Sequence, residues 1–273
     1  MLRRRWLAIC LVMSLAASDQ ASAAVGPAAA KPSLFERFKV SLGYHYSIGD
    51  YGESERTTIQ YVPLVLTADI DRWRVQATIP YLNIDGPAGI IEGPNGPIQT
   101  TDGDASGLGD LLLRGAYLLP IERALPQDWS ASAWLPYVDL VALLKIPTAS
   151  RGQGLGTGEV DFGVESELTW SLGAFSPFAT LGYRYLGSPP DQHLSDVFVG
   201  SLGALYRFLP SLSAGALLDY RTSPSPDTGQ QLDLVPYAAW RITDAWSLES
   251  YVSAGLADGS PDVGVGFQLG YSW

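Results

Sequence analysis

The sequence predicts an all-β protein: a transmembrane, antiparallel, up-and-down β-barrel of about twelve strands. Three features predict it, namely a composition rich in apolar residues, a period-two alternation that recurs along the chain, and an aromatic residue at the very end. Hydrophobic residues make up 47% of the chain and aromatic residues 11%, but charged residues only 16%; soluble domains carry about 25% charged residues. Past the amino terminus, no apolar run approaches the ~20 residues of a membrane-spanning helix. Alternating strands are therefore the expected membrane-crossing element.

The amino terminus has the pattern of an export signal. Three arginines at positions 3–5 precede an apolar stretch from Trp6 to Ala17, and Ala21-Ser22-Ala23 supplies small residues behind it. This pattern predicts a signal peptide over 1–23, a periplasmic linker over 24–36 and a barrel over 37–273. A single membrane anchor is the alternative, although the apolar stretch is shorter than a usual span.

Cysteine, histidine and charge exclude several kinds of site. The single cysteine, Cys10, lies in the predicted signal, so the mature chain is expected to have no disulfide and no cysteine-ligated metal. Its two histidines, His45 and His193, are far apart, and no cofactor is predicted. Three loop carboxylates lack the spacing of a calcium site: Asp102, Asp104 and Asp191. Removing residues 1–23 takes the formal charge from −11 to −13, which argues against nucleic-acid partners.

Period-two alternation is clearest between Phe38 and Ile48, where apolar residues alternate with polar or small ones. One such strand would also suit a soluble sandwich. Similar stretches recur, however, and their connections alternate between tight turns and longer loops rich in Gly, Pro and Asp, as in a membrane meander. The further predicted strands lie at 72–81, 159–170, 175–185, 198–208, 212–220, 232–242, 246–254 and 262–273, with less regular ones near 55–68, 107–119 and 131–147.

Aromatic residues cluster toward strand ends on the oily face. This placement predicts interfacial girdles, with a soluble two-sheet core as the alternative. The predicted girdle residues are Tyr44, Tyr46, Tyr81, Trp134, Trp170, Tyr183, Tyr185, Tyr206, Tyr220, Trp240 and Trp246.

The last strand carries the most specific pattern of the chain. Phe267, Leu269, Tyr271 and Trp273 alternate with small or polar residues, and this resembles the terminal strand by which outer-membrane barrels are recognised during assembly. We therefore expect these four residues to be an assembly signal. The expected location is the outer membrane of a Gram-negative bacterium, and the expected partners are its lipid, the barrel-assembly machinery and periplasmic chaperones.

The polar face of the strands is predicted to line the lumen. Its charged side chains could form a constriction that filters solutes, or a salt-bridged plug that holds a narrow barrel together. With a tight turn near Gly173, Arg184 should lie across from Gly163 and within reach of Glu165 or Asp161. The pore-lining candidates are Arg74, Arg114, Asp139, Lys145, Glu159, Asp161, Glu165, Glu167, Arg184, Arg207, Asp219, Arg241 and Glu249.

Two glycine-rich stretches carry a family resemblance: Gly107-Leu108-Gly109-Asp110, and Lys145-Ile146-Pro147-Thr148 followed by Gly154-Leu155-Gly156-Thr157-Gly158 and Asp161. They resemble the outer-membrane proteins regarded as transporters of the meta-pathway of phenol degradation. The resemblance implies a barrel that passes small, often aromatic or apolar, compounds, and it supplies no catalytic residues. The glycines by themselves indicate turns and close strand approach. Across the hairpin, Lys145 is expected to face Glu159.

The sequence therefore predicts a barrel for passive transport of small molecules, with the loop from Asp85 to Ser106 folding inward as a constriction. A non-transporting barrel that serves as an adhesin or a structural partner is the alternative. A barrel hydrolase is a third hypothesis, because Ser41 and Ser47 lie on the same face as His45. No Gly-x-Ser-x-Gly elbow accompanies that histidine, so we predict no enzyme.

Overall fold

The structure is a computed structural model. It describes residues 38–51, 55–87, 89–93, 96–100, 103–121, 135–190, 193–226 and 228–273. The predicted signal peptide and periplasmic linker lie outside the described residues, as does Trp134 of the predicted girdles. Within the described part, no helix is long and apolar enough to cross a bilayer.

The alternating segments of the sequence form strands, because apolar and polar residues that alternate can separate onto the two faces of a sheet. The strands are β1 (Phe38–Gly49), β2 (Thr57–Ile70), β3 (Trp73–Gly86), β4 (Gly89–Gly93), β5 (Gly96–Thr100), β6 (Gly103–Leu108), β7 (Leu111–Leu118), β8 (Tyr137–Ile146), β9 (Asp161–Thr169), β10 (Phe175–Tyr185), β11 (Val197–Leu209), β12 (Leu212–Arg221), β13 (Gln231–Arg241), β14 (Trp246–Gly255) and β15 (Val263–Ser272).

The sheet closes into an antiparallel barrel of twelve strand positions. Each barrel strand pairs with its neighbours in the chain, and β15 returns to pair with β1, from Lys39 opposite Ser272 to Ile48 opposite Val263. β6 and β7 share one position, because both pair with β3. β4 and β5 form a separate two-stranded hairpin. Closure leaves no open sheet edge between first and last strand, which a membrane requires, and the predicted up-and-down barrel is confirmed.

The two faces of the barrel wall differ as the alternation predicts. Large apolar side chains cover the outside, and Leu181, Leu202 and Phe198 are 68%, 65% and 62% exposed. In a soluble protein such a continuous apolar surface would cause aggregation, whereas in a bilayer it contacts lipid. The opposite parity carries buried polar side chains such as Arg114 and Glu167. The wall therefore has an apolar outer face and a largely polar inner one.

The connections at the two ends of the barrel differ in length. At one end, here the turn end, β2 and β3 are joined at Asp71, whose φ is 54°, and β9 and β10 through Gly173, whose φ is 74°. At the opposite end, the loop end, the longer connections follow β1, β3, β8, β10, β12 and β14. The connection between β7 and β8, over 119–136, is an exception, because it is long although it lies at the turn end. The other connections follow the predicted pattern of tight turns and longer loops.

The interpretation of residues 85–106 as one long loop is wrong. β3 continues to Gly86, β4 and β5 lie in the middle, and β6 resumes the wall at Gly103, directly opposite Gly86. Gly and Pro in this stretch suggested irregular structure, but the flanking segments pair with each other as a regular antiparallel ladder. The two ends of this stretch, 85–86 and 103–106, therefore extend the barrel wall, and β4 and β5 form a separate hairpin between them.

Aromatic rings pair at both ends on the outer face. At the turn end, the ring centroids of Trp73 and Tyr117 are 4.8 Å apart, and those of Trp246 and Tyr271 are 5.0 Å apart. Near the loop end, Tyr183 and Phe198 are 5.2 Å apart in an edge-to-face arrangement. The last residue, Trp273, stacks on Phe38 of the first strand at 6.2 Å. These pairs lie where interfacial girdles are expected.

Candidate functional site in the barrel lumen

Ion pairs between side chains of different strands are the main polar feature of the lumen. Arg184 lies opposite Gly163, and its Nη2 is 2.6 Å from the Oε1 atom of Glu165. Arg114 Nη2 reaches Oε1 of Glu167 across β8 at 2.8 Å. These side chains are buried, and a buried charge is tolerated only when it is paired and hydrogen-bonded. These two ion pairs thus place compensated charges of both signs on the inner wall.

A second pair of ion contacts lies toward the turn end. Arg74 donates from Nε and Nη2 to the two carboxylate oxygens of Asp69, at 2.6 and 3.0 Å. Lys39 Nζ lies 3.5 Å from Oε1 of Glu249. The bidentate guanidinium–carboxylate geometry of the first pair is the stronger arrangement.

The structure places the pore-lining candidates at different depths. Nine are buried on the inner face: Arg74, Arg114, Asp139, Lys145, Asp161, Glu165, Glu167, Arg184 and Glu249. Arg207, Asp219 and Arg241 are half-buried. Glu159 lies in the loop before β9, outside the strand, so the predicted contact between Lys145 and Glu159 is wrong. The register instead sets Lys145 directly opposite Asp161.

Around Lys145, the two glycine-rich stretches of the sequence come together. Lys145 Nζ is 2.6 Å from Oδ2 of Asp161 and 3.6 Å from Oδ2 of Asp110, and it donates to the Thr157 hydroxyl at 3.1 Å. Asp110 Oδ1 also accepts the backbone N–H of Ala149 at 2.9 Å. We call Asp110, Lys145, Thr157 and Asp161 the latch. It ties the loop after β8 to β8 itself, to β9 and to the junction between β6 and β7.

The latch holds the loop between β8 and β9 against the inside of the barrel. Leu155, in the middle of this loop, is only 2% exposed and Thr157 is fully buried. Leu155 packs over Gly107 of β6, where an added Cβ would lie 2.8 Å from its Cδ1 atom. The Thr148 hydroxyl accepts from the N–H of Leu111 and donates to the carbonyl of Gly109, at 2.9 and 3.0 Å. Two glycines permit this close approach: Gly107 of the wall beneath Leu155, and Gly156 of the loop, where an added Cβ would lie 2.8 Å from Oδ2 of Asp110.

Leu155 joins an apolar group at the loop end, which we call the mouth cluster. Its other members are Tyr51, Ile59, Tyr61, Leu82, Ile84 and Ala105. The hydroxyl of Tyr51, in the loop after β1, lies 2.7 Å from Oγ of Ser47. Burial raises the pKa of the Tyr51 phenol above its ordinary value. The cluster gives the outer part of the lumen an apolar side.

A second apolar group lies deeper in the lumen on β10 to β14, and we call it the wall cluster. It consists of Phe178, Leu205, Leu217, Val235, Tyr237, Ala239 and Tyr251. Sequence reasoning missed these residues because it assigned the apolar parity of each strand to lipid. The sequence did contain a signal for them. Phe178, Tyr237 and Tyr251 are large aromatic residues at positions of their strands where the alternation otherwise places polar or small residues.

His45 lies between the two apolar groups. Its ring centroid is 5.5 Å from that of Tyr61 and 5.5 Å from that of Tyr251, and its Nδ1 lies 3.0 Å from the Tyr251 hydroxyl. Gly266 lies directly opposite His45. Because Gly266 has no side chain, it leaves room for the rings of His45 and Tyr251. Among the described residues, no group of three His, Cys, Asp or Glu side chains is placed to hold a metal ion.

The fold is shared with a solved outer-membrane channel. The crystal structure of such a channel from Pseudomonas putida F1 superposes with a TM-score of 0.66 at 14% identity, over 90% of this chain and all of that one. The KdgM porin gives 0.49 at 9% identity, over 86% and 99% of the two chains. The Pseudomonas putida toluene transporter TodX gives 0.44 at 10% identity, over 87% and 89%.

Sequence comparison adds the family. No curated protein sequence matches the chain. The model of one protein family, described as "Putative MetA-pathway of phenol degradation", matches residues 53–273. This range spans β2 to β15 and includes both glycine-rich stretches that meet at the latch. The chain therefore belongs to this family of outer-membrane barrels.

Proposed function

We propose that this protein is a passive channel for small molecules in the outer membrane of a Gram-negative bacterium, with its loop end outward and its mouth closed by the loop between β8 and β9. The observation that carries the proposal is the latch. A loop that only covered a solid barrel would not need three buried charged groups to hold it. Charged groups can exchange partners, so the loop can have a second, open arrangement. A purely apolar plug has no comparable alternative state.

The lumen charges support diffusion of small solutes rather than free passage of large ones. Twelve strands enclose a space between that of packed eight-stranded barrels and open sixteen-stranded porins. Within it, Arg114–Glu167 and Arg184–Glu165 present both charge signs on neighbouring strands. A solute that passes them meets a compensated, polar wall. The pore-lining role of these residues belongs to the proposal.

A non-transporting scaffold is the second candidate, and dense packing favours it. Even small inner side chains such as Ser41 and Ser213 are only 2% and 4% exposed. A barrel whose lumen is always filled in this way would be stable, but it would offer solutes no path across the membrane.

We propose no enzymatic activity. A hydrolase on this face would need a serine hydroxyl hydrogen-bonded to His45. The Nδ1 atom of that histidine instead faces the Tyr251 hydroxyl, and Ser47 bonds to Tyr51. The proposed partners are outer-membrane lipid, a small solute and, during biogenesis, periplasmic chaperones and the assembly machinery that would read the last strand.

Ion conductance of the purified protein, refolded into a planar bilayer, tests the proposal. Heat-modifiable migration on gels first establishes that the barrel has folded. Discrete conductance steps, more frequent in Asp110→Ala than in the unchanged protein, are the expected result. A folded barrel that stays silent in both forms would favour the scaffold.

A further inference from the structure

The mouth cluster and the wall cluster form one continuous band on the inner wall. Cross-strand register connects them step by step: Tyr237 lies opposite Tyr251, Tyr251 opposite Gly266, and Gly266 opposite His45. His45 in turn lies opposite Tyr61, and Tyr61 opposite Leu82. Leu82 lies opposite Gly107, which Leu155 covers. We call this sequence of residues, together with Phe178, Leu217 and Val235, the apolar strip.

The apolar strip climbs along the barrel axis. Phe178 lies near the turn end of β10, His45 lies in the middle of β1, and Leu82 lies near the loop end of β3. Hydrogen-bonded neighbours in a barrel follow a helical path because the strands are tilted by about 35–45°. With strands ~4.8 Å apart, each step rises ~3 Å. The eight strand steps from β10 to β3 rise ~24 Å, and the shift from Val235 to Tyr237 along β13 runs back toward the turn end by ~5 Å. The strip therefore crosses most of the membrane's apolar layer, which is about 25 Å high.

Glycines keep the aromatic rings of the strip against the wall. Phe178 lies opposite Gly203, where an added Cβ would be 2.5 Å from its Cζ atom. Tyr237 lies opposite Gly215 in the same way, with its hydroxyl 2.8 Å from such a Cβ. Tyr251 covers Gly266, where an added Cβ would lie 2.3 Å from the Cε1 atom of the tyrosine ring. Each ring occupies the space of a missing side chain on the next strand. The rings thus extend along the wall instead of pointing at the opposite strands.

Ion pairs border the strip on both sides. Arg184–Glu165 lies on its loop side, and Lys39–Glu249 lies on its turn side. A polar interior is the rule for barrels that pass water-soluble solutes. Buried aliphatic residues such as Val65, Leu118 and Val141 also interrupt the polar inner wall away from the strip. The buried aromatic rings of the wall strands, in contrast, all lie on this one diagonal, which ordinary core packing does not require: Phe178, Tyr237, Tyr251 and Tyr61. An ionised solute that moves along the strip would lose hydrating water and would gain no counter-charge or hydrogen bond in return.

We infer that the apolar strip is a specificity-determining path, along which the channel passes small, uncharged solutes with a flat apolar body in preference to ionised solutes of similar size. The inference rests on the proposed channel function and deepens it. The tyrosine hydroxyls and His45 supply polar edges beside the rings, so a weakly polar group on the solute is accommodated.

Single cysteines test the inference, because the predicted mature chain contains none. Val235→Cys places a thiol on the strip, and Ser247→Cys places one on the inner wall outside it; the two positions are equally buried, at 6% and 7% exposure. Each folded variant in lipid vesicles is treated with N-phenylmaleimide, which is flat and uncharged, and with the anionic reagent 2-sulfonatoethyl methanethiosulfonate. Rates are divided by those of the same variant unfolded in urea, which removes intrinsic reactivity.

The preference for N-phenylmaleimide over the anion should be roughly tenfold greater at Val235→Cys than at Ser247→Cys, the effect of about one aromatic contact. Equal preferences at the two positions would overturn the inference that the strip determines specificity. If both thiols were nevertheless labelled in the folded barrel, the proposed channel function would stand. If neither reagent reached either thiol before unfolding, the channel itself would be overturned, and the inference with it. Heat-modifiable migration of each variant confirms that the barrel has formed.

Discussion

Arg184 on β10 and Glu165 on β9 form a buried ion pair in which one carboxylate oxygen accepts from two guanidinium nitrogens, Nε at 3.1 Å and Nη2 at 2.6 Å. Gly163 lies directly opposite Arg184, and Gly182 directly opposite Glu165. Each charged side chain therefore extends over a glycine on the neighbouring strand, and the two meet diagonally. The sequence predicted that Arg184 lies opposite Gly163 and within reach of Glu165 or Asp161, because the tight turn at Gly173 fixes the register of the hairpin. The structure shows the pair with Glu165.

Glu165→Gln should lower the free energy of unfolding by roughly 3 kcal/mol, because the buried guanidinium would lose its counter-charge. Urea titration of the refolded barrel, followed by heat-modifiable migration, measures the change. The double variant Glu165→Leu with Arg184→Leu should recover much of the loss, since no unpaired charge remains. A double variant less stable than Glu165→Gln would contradict the account of the pair as compensated charges.

Arg114→Ser should shift the permeability ratio of the channel toward cations. The substitution leaves Glu167 and, directly opposite it, Asp139 with less positive charge nearby. Arg184→Ser should act in the same direction through Glu165. Reversal potentials in a salt gradient across a planar bilayer measure the ratio.

Arg56→Ser is the matched control for these two variants. Arg56 pairs with Asp262 at 3.1 Å, but both side chains are exposed at the loop end. Salt screens exposed charges of this kind, so selectivity should change little. An equal shift in all three variants would indicate a general charge effect, and unchanged selectivity in Arg114→Ser and Arg184→Ser would count against the two arginines as a filter.

Asp110→Ala should loosen the loop between β8 and β9. It removes the acceptor of the Ala149 N–H and one of the carboxylates beside Lys145. Hydrogen bonds to charged groups are worth about 1.5–3 kcal/mol, so the open population of the loop should rise at least tenfold. Arg151 lies in this loop, and trypsin cleavage after it, followed by mass spectrometry, reports the opening.

Asp258→Ala is the control for the latch, because Asp258 lies in a different loop, after β14. Its cleavage rate after Arg151 should equal that of the unchanged protein. If Asp110→Ala were also cleaved at the unchanged rate, the four latch residues would not be what holds the loop inward.

Gly266→Ala should destabilise the barrel by about 1–3 kcal/mol, because overpacking displaces well-packed neighbours. The new Cβ would lie 2.3 Å from Nδ1 of His45 and 2.3 Å from Cε1 of Tyr251. Urea titration measures the change. Gly115→Ala is the matched control, since a Cβ there meets nothing within 4 Å. Equal stability of the two variants would show that the rings at Gly266 move aside freely.

The membrane class, the strand number and the meander followed from the sequence because they depend on local alternation. In β1, for example, apolar and polar residues alternate strictly, so the side chains that face lipid can be read from the chain. The Arg184–Glu165 contact was also predictable, since it lies within one tight hairpin. Such features need only the geometry of a strand and of a short turn.

Longer-range features were decided by closure of the barrel. Lys145 lies opposite Asp161 rather than Glu159, because the length of the inward-folded loop sets the register of β8 and β9. Asp110 reaches the same lysine only because β7 lies beside β8. Residues 85–106 proved to contain wall strands, since a pairing partner can compensate for poor local strand propensity.

By itself, the sequence predicted a membrane-type barrel with charged residues on its inner parity. Period-two alternation puts apolar and polar residues on opposite faces of a strand, and its recurrence up to the aromatic last residue favours a barrel over a soluble sandwich. The tertiary structure alone decided that Phe178, Tyr237, Tyr251, His45 and Tyr61 are connected. These residues come from five strands, and the connection depends on the stagger between strands around the closed wall. No local pattern records that stagger, since it arises only when the first and last strands pair.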